Sequence, residues 1–169
     1  FHELHPDLVA SGHGITVQRA DGSEERKPPR YDPEALREQP YATLMDHFAF
    51  FPSVVLVRRD VALGVEGFST EYHGAEDLDF LLKVARQGPV GMMPDCLTRM
   101  YQHGGNTSRK QLAKENVRVL THHLEIYDDL DPAMRRKLRR KIARYTVSVA
   151  KRAEDKEELR ELLAEAAKI

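Results

Sequence analysis

A helix-forming pattern of apolar residues lies near the middle of the chain, directly after a run of acidic residues. Its apolar positions are Leu78, Leu81, Leu82 and Ala85. This i, i+3, i+4, i+7 spacing gives one apolar face, and Gly88 followed by Pro89 provides a stop. The pattern predicts a helix over residues 75–87 that packs against a sheet. Glu76 and Asp77 then lie in its first turn, where the helix dipole stabilises negative charge.

Short apolar runs predict the strands, and glycine or proline separates them. The predicted strands cover residues 8–10, 15–19, 53–57, 90–93 and 97–101. Gly12 and Gly14 flank His13 and favour a tight turn between the first two strands. Pro94 separates the last two strands. The run at 53–57 is continuously apolar after its first residue, which is typical of a buried strand.

The segments between the first strands have patterns of their own. Asp21-Gly22 is a hairpin turn signal. Residues 23–34 are polar and contain three prolines, which predicts an exposed loop. The apolar positions after this loop are Tyr41, Leu44, Met45 and Phe48. Their spacing predicts an amphipathic helix that begins at Pro40.

The last third of the chain has a different composition. From Gln111 onward it contains no glycine and only one proline, and charged residues are dense. Three helices fit this segment, over residues 109–128, 132–151 and 154–168. Asp131 followed by Pro132 is the expected start of the second helix, with a capping carboxylate and proline at the first helical position.

Composition narrows the function classes. The 169 residues suffice for one domain with a real core, and the net charge of −1 gives no global attraction to nucleic acid. Cys96 is the only cysteine, so no disulfide can form within one chain, which fits a reducing, cytoplasmic compartment. No apolar run approaches the roughly 20 residues of a membrane span.

Several motifs follow one another in a recognisable order. They are the strand Ser53-Val54-Val55-Leu56-Val57 with Arg58 after it, the Gly67-Phe68 turn, the Glu76-Asp77 helix start, and Tyr101-Gln102-His103 followed by glycine and serine. This order resembles the C-terminal half of the catalytic domain of family 2 glycosyltransferases, over roughly residues 5 to 110. Two departures are Glu66, where the family usually has a glycine, and Gln102 directly before His103.

The resemblance implies an α/β fold of the GT-A, nucleotide-diphospho-sugar transferase type. Residues 1–110 would form the C-terminal half of that domain, and residues 111–169 an α-helical extension. The nucleotide pocket with its Asp-x-Asp motif would lie before Phe1, so we expect this chain to be a fragment with little or no activity alone. The Asp77-Leu78-Asp79 sequence lies inside a predicted helix and is not that motif. The chain has no tryptophan and hence no Gln-x-x-Arg-Trp signature, which favours a single-transfer enzyme.

The resemblance also implies catalytic residues. Inverting transfer from a nucleotide-sugar needs a base for the acceptor hydroxyl, which a carboxylate can supply. The resemblance assigns this role to Asp77, with Glu76 beside it on the acceptor side, and the like charges would raise the pKa of one of the pair. The alternative is that both residues only cap the helix.

Other residues are candidates for contacts to the substrates. His103 would help to hold the divalent metal at the donor diphosphate, and imidazole suits Mn²⁺ better than Mg²⁺. Arg58 and Arg99 can pair with phosphate, or they are solvated surface residues. Ser53 would line the pocket for a glycan, lipid or small-molecule acceptor, although serine is also ordinary there.

A second class of function uses the helical extension. Residues 135–144 hold seven basic residues in ten, without interleaved aromatic residues that would suit nucleic acid. They form either a solvated face balanced by the acidic residues at 154–165, or a patch for an acidic acceptor or for an anionic membrane surface at the inner membrane face. The alternative to an enzyme is therefore a noncatalytic module for assembly or partner binding. A half-domain sheet also leaves an open edge, so we expect a homodimer or a sheet covered by the extension.

Overall fold

The computed structural model describes residues 1–46, 51–101 and 109–151, together with Glu157, Arg160 and Ala164. It shows a mixed α/β protein with a four-stranded sheet. The strands are β1 (Ala10–Gln18), β2 (Glu24–Lys27), β3 (Val55–Val57) and β4 (Val90–Tyr101). The helices are α1 (Pro33–Glu38), α2 (Pro40–Asp46), α3 (Arg59–Gly64), α4 (Glu76–Ala85), α5 (Arg109–Ile126) and α6 (Pro132–Ala150). No helix of this described part is long and apolar enough to cross a membrane.

The chain divides into two compact units. Unit 1 comprises Phe1–Ser69 and Phe80–Asn106, and unit 2 comprises Thr70–Asp79 and Thr107–Ile169. The sheet therefore belongs to unit 1, while α5 and α6 belong to unit 2. Helix α4 begins in unit 2 and ends in unit 1.

Strand β1 is the centre of the sheet. β4 pairs with it in parallel along its whole length, from Ala10 opposite Val90 to Gln18 opposite Tyr101. The other edge of β1 is shared between two antiparallel neighbours: β3 pairs with residues 10–12, and β2 pairs with residues 15–18. The β1–β2 hairpin turns at Asp21-Gly22 as predicted, with Gly22 at a φ of 82°.

The predicted turn at Gly12-His13-Gly14 is wrong, because β1 is one continuous strand. Its pairing with β4 shifts register here: Gly12 lies opposite Met92, and Gly14 already lies opposite Cys96. The extra residues of β4 form a bulge, which accommodates Pro94 because proline cannot donate a ladder hydrogen bond. The two strands predicted on either side of Pro94 are therefore also one strand.

Two further predictions in unit 1 are wrong in part. The segment 23–34 contains β2 and the start of α1 in addition to loop residues. Residues 53–57 begin with a 3₁₀ turn, Pro52–Val54, and only three of them form a strand. Val54 is buried, but Leu56 is 60% exposed. Among the described strands, β3 pairs only with β1. This strand is thus an edge strand and not an interior one.

The helices follow the predicted patterns closely. α2 begins at Pro40 and buries Tyr41, Leu44 and Met45, while Phe48 lies outside the described residues. α4 buries all four predicted apolar positions, with Leu82 fully inaccessible. Leu81 and Phe80 of α4 line a cleft with β3, so the helix lies against the sheet as predicted.

Unit 2 is built on the pair α5 and α6. The carboxylate of Asp131 accepts the N–H of Met134 at 2.7 Å, which confirms the predicted N-cap. α6 buries Leu138, Ile142 and Val149 on one face, and Tyr145 is partly buried. The helix predicted over 154–168 lies mostly outside the described residues, of which Glu157, Arg160 and Ala164 are helical.

Candidate active site

The start of α4 is shaped by the backbone before it. Gly74 has a φ of 99°, which a residue with a side chain rarely adopts. Its N–H donates to Oε2 of Glu76 at 2.7 Å. Glu76 thus reaches back to the residue before the helix, and its carboxylate is oriented by that hydrogen bond.

Asp77 has a different environment from its neighbour. Oδ1 accepts the N–H of Leu78 at 2.7 Å. Burial raises the pKa of the Asp77 carboxyl above its ordinary value, the hydrogen bond from Leu78 opposes this shift, and the charge of Glu76 adds to it. The expected like-charge effect is present, although burial is the larger cause. A partly buried carboxylate with a raised pKa can accept a proton.

Helix α5 holds the segment that leads into this turn. The buried carboxylate of Glu115 accepts the backbone N–H of His73 at 3.3 Å. Glu115 also pairs with Arg118 at 2.8 Å, and the guanidinium of Arg118 lies 5.5 Å from the ring centre of Tyr72. This cluster fixes residues 72 and 73, directly before Gly74.

A second contact from α5 reaches the first turn of α4 itself. Nε2 of His123 lies 2.9 Å from Oδ1 of Asp79, and both side chains are completely inaccessible to solvent. The ring of Tyr127 packs edge-on against His123 at 5.2 Å. Asp79 is therefore a buried residue of unit 2 that contacts α5.

The remaining predicted substrate contacts lie in unit 1. Arg58 is exposed and donates from Nε to the carboxylate of Asp60 at 3.1 Å. Arg99 is exposed and pairs with Glu24 at 3.3 Å. Ser53 is exposed, and its carbonyl accepts the hydroxyl of Thr98 at 3.1 Å. Each arginine thus already has a carboxylate partner, in exposed pairs that contribute little to stability.

The predicted metal ligand, His103, lies outside the described residues. Within the described ranges no three His, Cys, Asp or Glu side chains are grouped so that they could hold a metal ion. Those ranges therefore provide no donor set against which a divalent ion can be tested.

Unit 1 contains two cavities that the sequence patterns do not reveal. An apolar cleft of about 250 Å³ is lined by Pro52, Val55, Val57, Phe68, Phe80 and Leu81. A second cavity of about 320 Å³ lies at the β1–β2 hairpin and includes the polar side chains His13, Glu25, Lys27, Arg30 and Tyr31. Both combine residues that are distant along the chain, and no local spacing signals such a combination.

Sequence reasoning also missed Glu115 and His123. Both lie in a helix whose sequence pattern predicts only an amphipathic extension. Their burial in the structure shows that they contact other parts of the chain. No protein-family model, curated protein or solved structure matches this chain, so the similarity to family 2 glycosyltransferases rests on the order of its motifs.

Proposed function

We propose that this chain supplies the acceptor-activating part of an inverting, nucleotide-sugar-dependent glycosyltransferase, with Asp77 as the general base. One observation supports this most: Asp77 is a partly buried carboxylate whose pKa is raised, although Oδ1 accepts the N–H of Leu78. A carboxylate that served only as a cap would be stabilised in its charged form by the helix start, and its pKa would be lowered.

In the proposed reaction, Oδ2 of Asp77 takes the proton of the acceptor hydroxyl. The acceptor oxygen forms a bond to the anomeric carbon of the donor sugar on the face opposite the leaving group. The bond from that carbon to the diphosphate oxygen breaks, its electron pair stays on the nucleoside diphosphate, and the configuration is inverted. Asp77 then releases its proton to water. A divalent ion, Mn²⁺ or Mg²⁺, would serve as Lewis acid for the diphosphate.

Glu76 has a supporting role in this proposal. Its carboxylate is held by the N–H of Gly74, which keeps a negative charge next to Asp77. That charge makes Asp77 a stronger base, since it disfavours the ionised form of its neighbour. Arg58, Arg99 and Ser53 remain proposed substrate contacts. A donor phosphate would then replace Asp60 on Arg58 or Glu24 on Arg99.

The experiment is the transferase rate of Asp77→Asn in protein that includes the donor-binding half implied by the resemblance. General base catalysis typically contributes about 10² to 10⁴ in rate, so turnover should fall by roughly that factor. Affinity for the nucleotide-sugar should stay unchanged, because the base contacts the acceptor. Asp131→Asn, which replaces the carboxylate that accepts the N–H of Met134 at the start of α6 and has no part in the proposed site, is the matched control. Near-normal turnover of Asp77→Asn would overturn the assignment.

One observation favours a second role, contact of α6 with an anionic membrane surface. The helix has no acidic residue between positions 132 and 151, and its exposed basic side chains repeat along one face. They are Arg136, Arg139, Arg140 and Arg144. Sedimentation with vesicles of an anionic lipid should pull down the chain at low salt and not at high salt. Equal binding to neutral vesicles would contradict this role.

A further inference from the structure

Within unit 2, a buried polar contact joins the first turn of α4 to α5. Asp79 lies in the first turn of α4, and His123 lies 44 residues later in α5. Their side chains are both 0% exposed, and the imidazole Nε2–H donates to the carboxylate oxygen at 2.9 Å. Burying such groups costs free energy, and well-packed apolar residues of similar volume often stabilise a protein more. Stability alone therefore does not account for this pair.

A hydrogen bond has a preferred direction, so it can fix the rotation of a helix about its own axis. An apolar contact has no such direction. Successive helical residues are turned by about 100° around the axis, so Asp77 points about 200° away from Asp79. When His123 fixes the direction in which the Asp79 side chain points, it also fixes the direction of the Asp77 side chain on the opposite side of the same turn. The first intrahelical bond, from the Asp79 N–H to the Ala75 carbonyl at 3.2 Å, is part of the same turn.

The second contact from α5 acts on the approach to this turn. Glu115 holds the N–H of His73, three residues before Glu76. One contact thus fixes where the chain enters the helix, and the other fixes how the first turn is rotated. Both partners are buried residues of α5.

We propose that His123 is a positioning residue that, through Asp79, sets the rotation of the first turn of α4 and thereby aims the Asp77 carboxylate at the acceptor hydroxyl. This inference rests on the proposed function of Asp77. It gives the helical extension a part in catalysis, although none of its residues touches the substrate.

The test compares His123→Gln with His123→Asn. Both variants place a neutral amide in the same buried position, but only the glutamine nitrogen reaches the place of the imidazole Nε2. Turnover of His123→Gln should stay close to the parent value. Turnover of His123→Asn should fall by about tenfold to a hundredfold, since small misplacements of catalytic groups have effects of this size. KM for the nucleotide-sugar should be the same in both.

Leu138→Ala is the control for loss of stability. Leu138 is a fully buried residue of α6, so its truncation lowers the melting temperature of unit 2 while the Asp79 and His123 side chains stay unchanged. Well below its melting temperature, this variant should keep the parent turnover. If His123→Asn loses no more turnover than Leu138→Ala, or if Gln and Asn behave alike, His123 is merely structural and the inference is wrong.

A readout that does not depend on activity separates this inference from the proposed function. In the 169-residue chain, exchange of the Asp79 amide proton reports the first turn of α4. His123→Asn should speed this exchange, and His123→Gln should not. Equal exchange in both variants overturns the positioning role whatever Asp77 does, whereas normal turnover of Asp77→Asn overturns only the base assignment. Should His123→Asn not fold, the Asp79→Leu and His123→Leu double variant replaces it with the same expectations, because apolar residues of similar volume can take the place of a buried polar pair.

Discussion

The effect of pH on the free energy of unfolding can reveal the role of the Asp77 carboxylate. Because its pKa is raised in the folded chain, mainly by burial, the folded state holds the proton more tightly than the unfolded state. The free energy of unfolding therefore falls as pH rises from the ordinary aspartate value, about 4, through the folded value. At neutral pH the ionised Asp77 side chain therefore lowers the free energy of unfolding.

Asp77→Asn removes this effect. The variant should match the parent at about pH 3 and below, where the carboxyl is mostly neutral in both states, and should be the more stable of the two at pH 7. Urea unfolding across this range measures the difference. A variant that is less stable at pH 7 would show that Asp77 is a stabilising cap after all.

Asp21 provides a control with the opposite sign. Its carboxylate accepts the hydroxyl and the N–H of Ser23, at 2.6 and 2.9 Å, and these bonds lower its pKa. The contribution of Asp21 is therefore present above the ordinary aspartate pKa and is lost as pH falls through the folded value. Asp21→Asn should lose stability at pH 7 and converge with the parent in acid, in the same urea experiment.

Gly14 illustrates why glycines mislead a sequence-based prediction. Glycine is compatible with a turn and with close approach of two backbones, and Gly14 serves the second purpose. A Cβ there would lie 2.8 Å from the Lys27 carbonyl, 2.9 Å from Cα of Pro28 and 2.9 Å from Sγ of Cys96. Local sequence does not distinguish these cases, since the crowding comes from β2 and β4.

Gly14→Ala should therefore be destabilising, by about 1 to 3 kcal/mol, as is typical of overpacking at a buried position. Gly64→Ala in α3 is the matched control, because nothing lies within 4 Å of its Cβ position. It should be neutral or stabilising by up to about 1 kcal/mol. Thermal melting of both variants tests the pair, and equal effects would contradict the crowding seen at the bulge.

At the scale of elements, helices could be predicted more completely than strands. Periodicity and caps give the start of α2 at Pro40, the buried face of α4 and the cap of α6 at Asp131, because these signals lie within one element. The strand patterns in the sequence are interrupted where β1 pairs with β4. Gly14 is there because neighbouring strands leave no room for a side chain, and Pro94 lies in the bulge of β4. The apolar run at 53–57 predicts an interior strand. Whether a strand is interior depends on how many strands pair with it, and the sequence of the strand does not give that number.

The α5–α6 connection depends on one arginine of the basic run. Arg135 donates to the carbonyl oxygens of Leu124, Tyr127 and Leu130, at 3.2, 2.8 and 3.2 Å, and so satisfies groups at the end of α5. Arg136, the next residue, is exposed on the other side of the helix. The run at 135–144 is thus not uniformly a solvated face.

Arg135→Met should cost about 1 to 3 kcal/mol, the usual range for hydrogen bonds made by a charged group. Arg136→Met, an identical substitution one position later, should change stability by less than about 0.5 kcal/mol. Chemical denaturation of the two variants gives the comparison. Similar losses for both would mean that the carbonyl contacts of Arg135 are not important for stability.

At the scale of the whole molecule, the candidate site was only partly predictable. Glu76 and Asp77 could be found because their signal is local and lies in an ordered set of motifs. His123 and Glu115 could not, since each acts on a partner more than 40 residues away in the sequence. Which residues pair at that distance depends on how α5 packs. Periodicity in the sequence predicts the buried face of a helix, but not the residues that this face contacts.

The surface of unit 1 bears on the state of association. Large apolar side chains are exposed around β3 and the segments next to it: Phe51, Leu56, Leu63 and Phe68, at 46%, 60%, 61% and 49%. The edge of β3 away from β1 pairs with no described strand. Exposed apolar groups beside an open strand edge favour association with another chain.

We therefore expect the chain to dimerise through this surface, as the half-domain reading of the sequence also predicts. Leu56→Lys should shift the equilibrium toward monomer, because a charged side chain on an edge strand opposes pairing with a second strand. Leu4→Lys changes a residue that is 81% exposed near the start of the chain and should leave association unchanged. Light scattering over a range of concentrations measures all three proteins. A parent chain that stays monomeric at every concentration, or a Leu56→Lys variant that associates like the parent, would show that this apolar edge is not used by a second copy.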